Sequence, residues 1–213
     1  MADEIPFLGE PSDSREAIMH ATYAALTKHG YAGLSIQRIA DEADLSKSTF
    51  YHHFDDKDDL LRAFVDFVLE AFGQALSART SDDPVEALWT YVDLLLASDE
   101  IDVLDIDLSD DLLESYVELR AQAVHDDELK ERFARRDEAI REQLADVVRE
   151  GIDRGAFREV DAEAAATFIL TVNGGHLIHR TTSAQDDTDV VRSQLEAYVR
   201  GHLLVDGDGE GHS

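Results

Sequence analysis

The sequence predicts an all-α protein, on three observations. From Ser14 to about Leu204, apolar residues recur every three or four positions, the period of a helix. The only prolines are Pro6, Pro11 and Pro84, so almost nothing interrupts that stretch. No run resembles a pair of β-strands.

Nine helices are expected. Met1–Asp13 is a loose acidic arm, without the basic segment and apolar run of a signal peptide. The first helix starts at Asp13, with Glu16 three residues on as a capping box, and stops at Gly30. The second runs from cap Ser35 to Glu42, the third from cap Ser46 to about His53. The fourth begins near Asp56 and carries Leu60, Leu61, Phe64, Val65, Val68, Phe72 and Leu76. Pro84 opens the fifth, where its missing N–H costs nothing, and Val85, Leu88, Trp89, Val92, Leu95 and Leu96 follow. Ser98–Asp107 keeps no helical spacing and reads as a loop with short helical turns. The remaining helices are expected at about Ser109–Val124, Asp127–Arg154 (ended by Gly155), Asp161–Thr182 and Asp187–Leu204. Val205–Ser213 reads as a disordered tail.

The second and third helices are short, and only Ala43-Asp44-Leu45 separates them. That is the spacing of a DNA-binding helix-turn-helix. Ile36, Ile39, Ala40, Ala43, Leu45, Phe50 and Phe54 would pack inward against Ile18, Ala21, Ala25 and Leu26. Lys47, Ser48, Thr49, Tyr51, His52 and His53 would face outward, as donors and aromatics suited to phosphates and base edges. Lys57 falls in the first turn of the fourth helix, where the dipole favours acids. A phosphate partner explains a lysine there better than helix stability does.

The charge at first argues the other way. With 47 acids against 19 Lys and Arg, the formal net charge of the 213 residues is −28, and polyphosphate repels an acidic surface. Divided along the chain, the charge is −4 over Met1–Asp13, −3 over Ser14–Leu61 and −21 beyond. Three of the four lysines fall in the middle segment. Asp outnumbers Glu 29 to 18 and Arg outnumbers Lys 15 to 4, spread from end to end rather than gathered in a tail. A thermophile would lean towards Glu and Lys. A Lys-poor acidic surface suits the cytoplasm of a salt-accumulating halophile, where at ~1 M salt the Debye length is about 3 Å and self-repulsion is quenched. Cysteine is absent, which excludes disulfides, thiolate zinc sites and a Cys nucleophile. No stretch approaches 18 apolar residues, so no membrane span is expected.

Ile18–Leu61 resembles the N-terminal domain of the TetR family of transcriptional regulators almost position by position. The anchors are Ala21, Gly30-Tyr31, Ser35, Ile39-Ala40, Ala43, Leu45-Ser46, Thr49, Tyr51, Phe54, Lys57 and Leu60, and the run Ser46–Phe54 followed by Lys57 is the specific part. Glu128–Phe157 and Asp161–Gly175 are similar to the family's seventh and eighth helices. Asp44 stands where the turn often has Gly, and the arm is acidic where such arms often carry cations. The resemblance implies a homodimer that binds a palindromic operator on double-stranded DNA and releases it when a small-molecule effector enters the C-terminal domain. By position, Ser35, Lys47, Tyr51, His52 and Lys57 look like backbone contacts. Gln37, Arg38, Ser48 and Thr49 look like base or nearby backbone contacts. The domains then read as residues 1–13 arm, 14–61 DNA binding, 62–204 effector binding and dimerisation, and 205–213 tail. The eighth and ninth helices would pair with their symmetry mates, which explains the helical Gly174 and Gly175 as points of close approach.

Candidate effector-lining residues are Trp89, Asp93, Tyr116, Arg120, Phe133, Phe168, Asn173 and His176, with plain core packing the competing reading for each aromatic. Trp89 with Tyr116 would suit an aromatic or a cationic amphiphile. Pro84–Leu204 loosely resembles the choline-responsive branch of the family. His176 and His179 have metal-ligand spacing, but no carboxylate completes a set, so no metal is expected. No nucleophile–base arrangement and no Gly-rich phosphate loop occur, so neither catalysis nor a cofactor is expected. A regulator without a small effector is the second reading. The third is a helical small-molecule-binding or enzymatic protein that has abandoned DNA, against which Lys47, Tyr51 and Lys57 argue.

Overall fold

The computed structural model describes residues 11–77, 81–96 and 110–205. Among them are nine α-helices and no strand longer than a single bridge. They are α1 (Ser14–Gly33), α2 (Ile36–Glu42), α3 (Lys47–His53), α4 (Lys57–Ser77), α5 (Pro84–Leu96), α6 (Asp110–Gln122), α7 (Asp127–Asp153), α8 (Ala162–Thr182) and α9 (Thr188–Tyr198). The expected loop at Ser98–Asp107, most of the arm and nearly all of the tail lie outside the described residues.

Short polar residues start these helices by satisfying their orphan N–H groups. Asp13 accepts from Glu16 N, Ser35 from Arg38 N, Ser46 from Thr49 N, and Asp161 from Ala164 N. The first cap departs from a reciprocal box in one respect. Glu16 Oε2 reaches back past Asp13 to accept from Ser12 N and Ser12 Oγ, both at 2.6 Å.

Two helix ends differ from expectation. Gly30 leaves helical geometry as expected (φ 65°), but a further helical turn carries α1 to Gly33. The ninth helix does not reach Leu204 as an α-helix. After Tyr198 it widens into a π-helical turn, Val199–Leu203. The chain end there is pinned: Arg158 N donates to Leu203 O at 2.7 Å and Val205 N to Ala156 O at 3.1 Å. These bonds flank a bridge between Phe157 and Leu204, which sets the register of the last turn.

The described helices fall into two compact units. The first spans Met1–Arg79 and Ile101–Arg136. Its core joins Ile18, Met19, Leu26, Ile39, Phe50 and Phe54 to Leu60, Phe64, Leu119 and Phe133, so α6 and the start of α7 belong with the N-terminal helices. The second spans Thr80–Glu100 and Asp137–Ser213. Its core holds Leu88, Val92, Leu144, Val148, Phe157, Ile169, Leu195, Val199 and Leu203.

Candidate nucleic-acid interface

The turn between α2 and α3 is closed by the backbone. Asp44 N donates to Asp41 O at 3.3 Å and Leu45 N to Ala40 O at 2.9 Å, the paired bonds of a Schellman ending. That ending needs one residue in the left-handed region. Asp44 supplies it at φ 51°, alone among the described non-glycine residues. Ile39, Ala40, Phe50 and Phe54 are buried beneath the turn, so the pair is fixed on α1 by its inner face.

The other face of α3 carries no acid. Lys47, Ser48, Tyr51 and His52 are exposed, and Tyr51 keeps 55% of its surface open. Ser48, Thr49, Tyr51, His52 and His53 line a shallow concavity of about 530 Å³ with Ser14 from the start of α1. Thr49 is half-buried, its Oγ1 3.0 Å from Ser46 Oγ.

His53 does not face outward as expected. It is half-buried, and its Nε2 lies 2.7 Å from Ser14 Oγ. A ring at the last position of a seven-residue helix turns back towards α1, and α1 thereby fixes the end of α3. Ser14 had no sequence signal beyond its place beside the cap Asp13, because its partner is 39 positions away.

The α2 candidates are held locally. Ser35 caps its own helix, with Oγ 3.3 Å from Arg38 N. Gln37 Nε2 donates to Asp41 Oδ1 at 2.5 Å. The exposed Arg38 guanidinium donates to Gly33 O. Lys57 is half-buried, its Nζ 5.3 Å from the centre of the Tyr31 ring. Burial pushes the Tyr31 phenol up, which keeps the ring neutral beneath the ammonium. The lysine is thus held by an aromatic face at a helix end that would otherwise repel it.

The candidate effector residues divide between the units. In the first, Phe133 is buried, with the Tyr116 ring edge-on at 5.7 Å and the Arg120 guanidinium 5.1 Å from its centre. Arg120 Nη1 donates to Tyr116 Oη at 3.1 Å, so these three do meet. In the second, Trp89 and Asn173 are half-buried and His176 is buried. Asp93 accepts from Arg192 Nε at 3.0 Å and Nη2 at 2.8 Å. Sequence reasoning missed that partner, which is 99 positions away. Phe168 lies on the surface, 44% exposed, with its ring 4.5 Å from that of Tyr198. Among the described residues, no group of His, Cys, Asp and Glu could hold a metal ion, and no helix is long and apolar enough to cross a membrane.

Two short helices on a closed turn, one face buried and the second helix bearing no acid on the other, define a helix-turn-helix DNA reader. Residues 18–64 match the bacterial regulatory proteins of the tetR family. Residues 102–204 match the C-terminal region of BetI-type transcriptional repressors. The chain is 36% identical to a TetR transcription regulator from Haloarcula marismortui, covering 90% of this chain and 99% of that one with a TM-score of 0.80. It is 25% identical to the transcriptional repressor AcnR of Corynebacterium glutamicum, over 84% of this chain and 87% of that protein. It shares its fold, at 21% identity and a TM-score of 0.75, with a choline-bound transcriptional regulator from Saccharomonospora viridis, over 91% of this chain and 99% of that one. The chain belongs to the TetR family, and it is a DNA-binding transcriptional regulator.

Proposed function

We propose that the chain is a cytoplasmic repressor of a salt-accumulating cell. Two copies hold a palindromic operator and leave it when a small molecule binds. Residues 14–61 read DNA, and residues 62–204 bind the effector and dimerise. The observation that carries the DNA contact is the acid-free outer face of α3 in a chain of net charge −28. Lys47, Tyr51, His52 and Lys57 touch phosphates there, and Ser48 and Thr49 reach base edges. No catalytic role is assigned to any residue.

Dimerisation through α8 and α9 is supported by what their surface leaves open. Phe168 (44%), Ile178 (50%) and Val190 (61%) are large apolar side chains in solvent. A Cβ built on Gly174 or Gly175 would meet nothing within 4 Å, so this stretch of α8 has room for a second helix. The match of residues 102–204 to BetI-type repressors, with choline in the Saccharomonospora viridis regulator, makes choline the first effector to test. The Haloarcula marismortui relative and the Lys-poor acidity support the halophile assignment.

The test is a mobility shift on the DNA upstream of the protein's own gene, in ~2 M KCl where screening is near complete. Lys47→Ala and Lys57→Ala are expected to weaken binding about equally for all sequences. Unchanged affinity in both would refute their roles. Light scattering in the same buffer is expected to report a dimer.

A further inference from the structure

In the second unit, four side-chain atoms are buried with no hydrogen-bond partner among the described residues, and one of them belongs to a buried side chain. His176 on α8 is 5% exposed, and its Nδ1 is unpaired. The other ring nitrogen identifies the state of the first. Nε2 lies 3.1 Å from Thr188 Oγ1. The same hydroxyl sits 2.5 Å from Asp186 Oδ1, an ionised carboxylate that can only accept. The single hydroxyl proton of Thr188 is therefore committed to Asp186. Towards His176 the hydroxyl offers a lone pair, so Nε2 carries the ring proton. In the neutral ring Nδ1 is then a bare acceptor, buried and with no donor paired to it among the described residues. Burial, and the Arg180 charge after it, hold the ring in its neutral form. Asn173 lies one turn earlier on the same face of α8, and its Nδ2 is also buried and unpaired.

We infer that His176 Nδ1 is the acceptor that selects the effector, and that the effector is an uncharged or cationic molecule presenting an O–H or N–H donor to it. This inference rests on the effector-released reading above. Asn173 lies beside it to pair the same group's acceptor oxygen. A hydroxyl or a primary amide fits both atoms. A fully methylated ammonium fits neither atom, and an ether oxygen can accept from Asn173 Nδ2 but brings no donor to His176 Nδ1. A carboxylate would place acceptor against acceptor. A buried acceptor left unpaired costs free energy that such a donor restores, so donor and donor-less analogues should differ about tenfold or more in Kd.

The experiment uses the full chain labelled with ¹⁵N-histidine in high KCl. The probes are choline, glycerol and acetamide, each beside its counterpart lacking the donor: O-methylcholine, 1,2,3-trimethoxypropane and N,N-dimethylacetamide. The free protein is expected to show the Nε2–H form of His176. At least one donor-bearing probe is expected to move the Nδ1 signal and raise Tm, with its counterpart at least about tenfold weaker. His176→Phe is expected to abolish the preference. If that variant unfolds, Thr188→Val serves instead: it frees Nε2, mixes the two ring forms and is expected to reduce the preference. A proton found on Nδ1, equal binding of both members of every pair, or no response to any probe would overturn the inference. A mobility shift run in parallel separates the two failures. DNA binding retained while the probes do nothing removes the inference and leaves the regulator standing.

Discussion

Asp44 has the backbone of a glycine. At φ 51° an L residue is strained, and aspartate tolerates the region better than most because its short polar side chain can bond locally. Asp44→Gly is expected to raise stability by up to about 1 kcal/mol. It also removes a carboxylate from the turn beside the DNA-facing helix, so affinity for the operator should rise. Urea unfolding and mobility shifts on one preparation check both. Tyr31 belongs at the same scale. A ring under an ammonium is worth about 0.5–1 kcal/mol at an exposed site. Tyr31→Leu should cost about twofold to fivefold in DNA affinity, and Tyr31→Phe almost nothing, measured by titration at one salt concentration. The outward Lys47, Tyr51 and His52 were legible in the sequence, because local spacing decides them, and the αL place of Asp44 was legible through the family resemblance. The inward turn of His53 was not, because Ser14 decides it from another helix.

Helix starts were the most legible elements, since Ser35, Ser46 and Asp161 each bond a backbone N–H three residues on. Helix ends were less so. The π-helical turn at Val199–Leu203 is set by the bridge to Phe157, a pairing that no local pattern announces. Glycines inside helices show the same division. A Cβ at Gly151 of α7 would come within 1.9 Å of the Phe157 ring, so that helix needs glycine for close approach. Gly151→Ala should destabilise by roughly 1–3 kcal/mol through overpacking. Gly174→Ala on α8 meets nothing within the chain. By propensity alone it should stabilise by up to about 1 kcal/mol. If a second copy packs there, it should instead weaken the dimer. Comparing Tm with the dimer dissociation constant for Gly174→Ala distinguishes the two.

Over the whole molecule, acidity dominates, and pH acts through it in two windows. His20 and His176 are both held below their ordinary value, chiefly by burial. Below about 6.5 the unfolded chain takes up protons that these rings refuse in the fold. Stability is therefore complete above that pH and falls as pH decreases. Asp126 and Asp186 are also held low, by backbone and side-chain hydrogen bonds. Their contribution is lost further down, as pH falls below about 4. In ~2 M KCl, where net repulsion is screened, His20→Gln with His176→Gln should flatten Tm between about pH 6.5 and 5 and leave the acid limb unchanged.

The same acidity bears on the central claim, that this chain grips DNA through a small, acid-free face. With few cations per half-site, counterion release contributes little, so the bond must rest on base contacts, shape and water. The most direct measurement is operator affinity as a function of KCl concentration up to ~2 M. A complex that persists at the highest salt, with a log–log slope far shallower than the roughly −10 of a highly cationic repressor, is the expected result. A slope near −10, or loss of every operator complex at that salt, would contradict it.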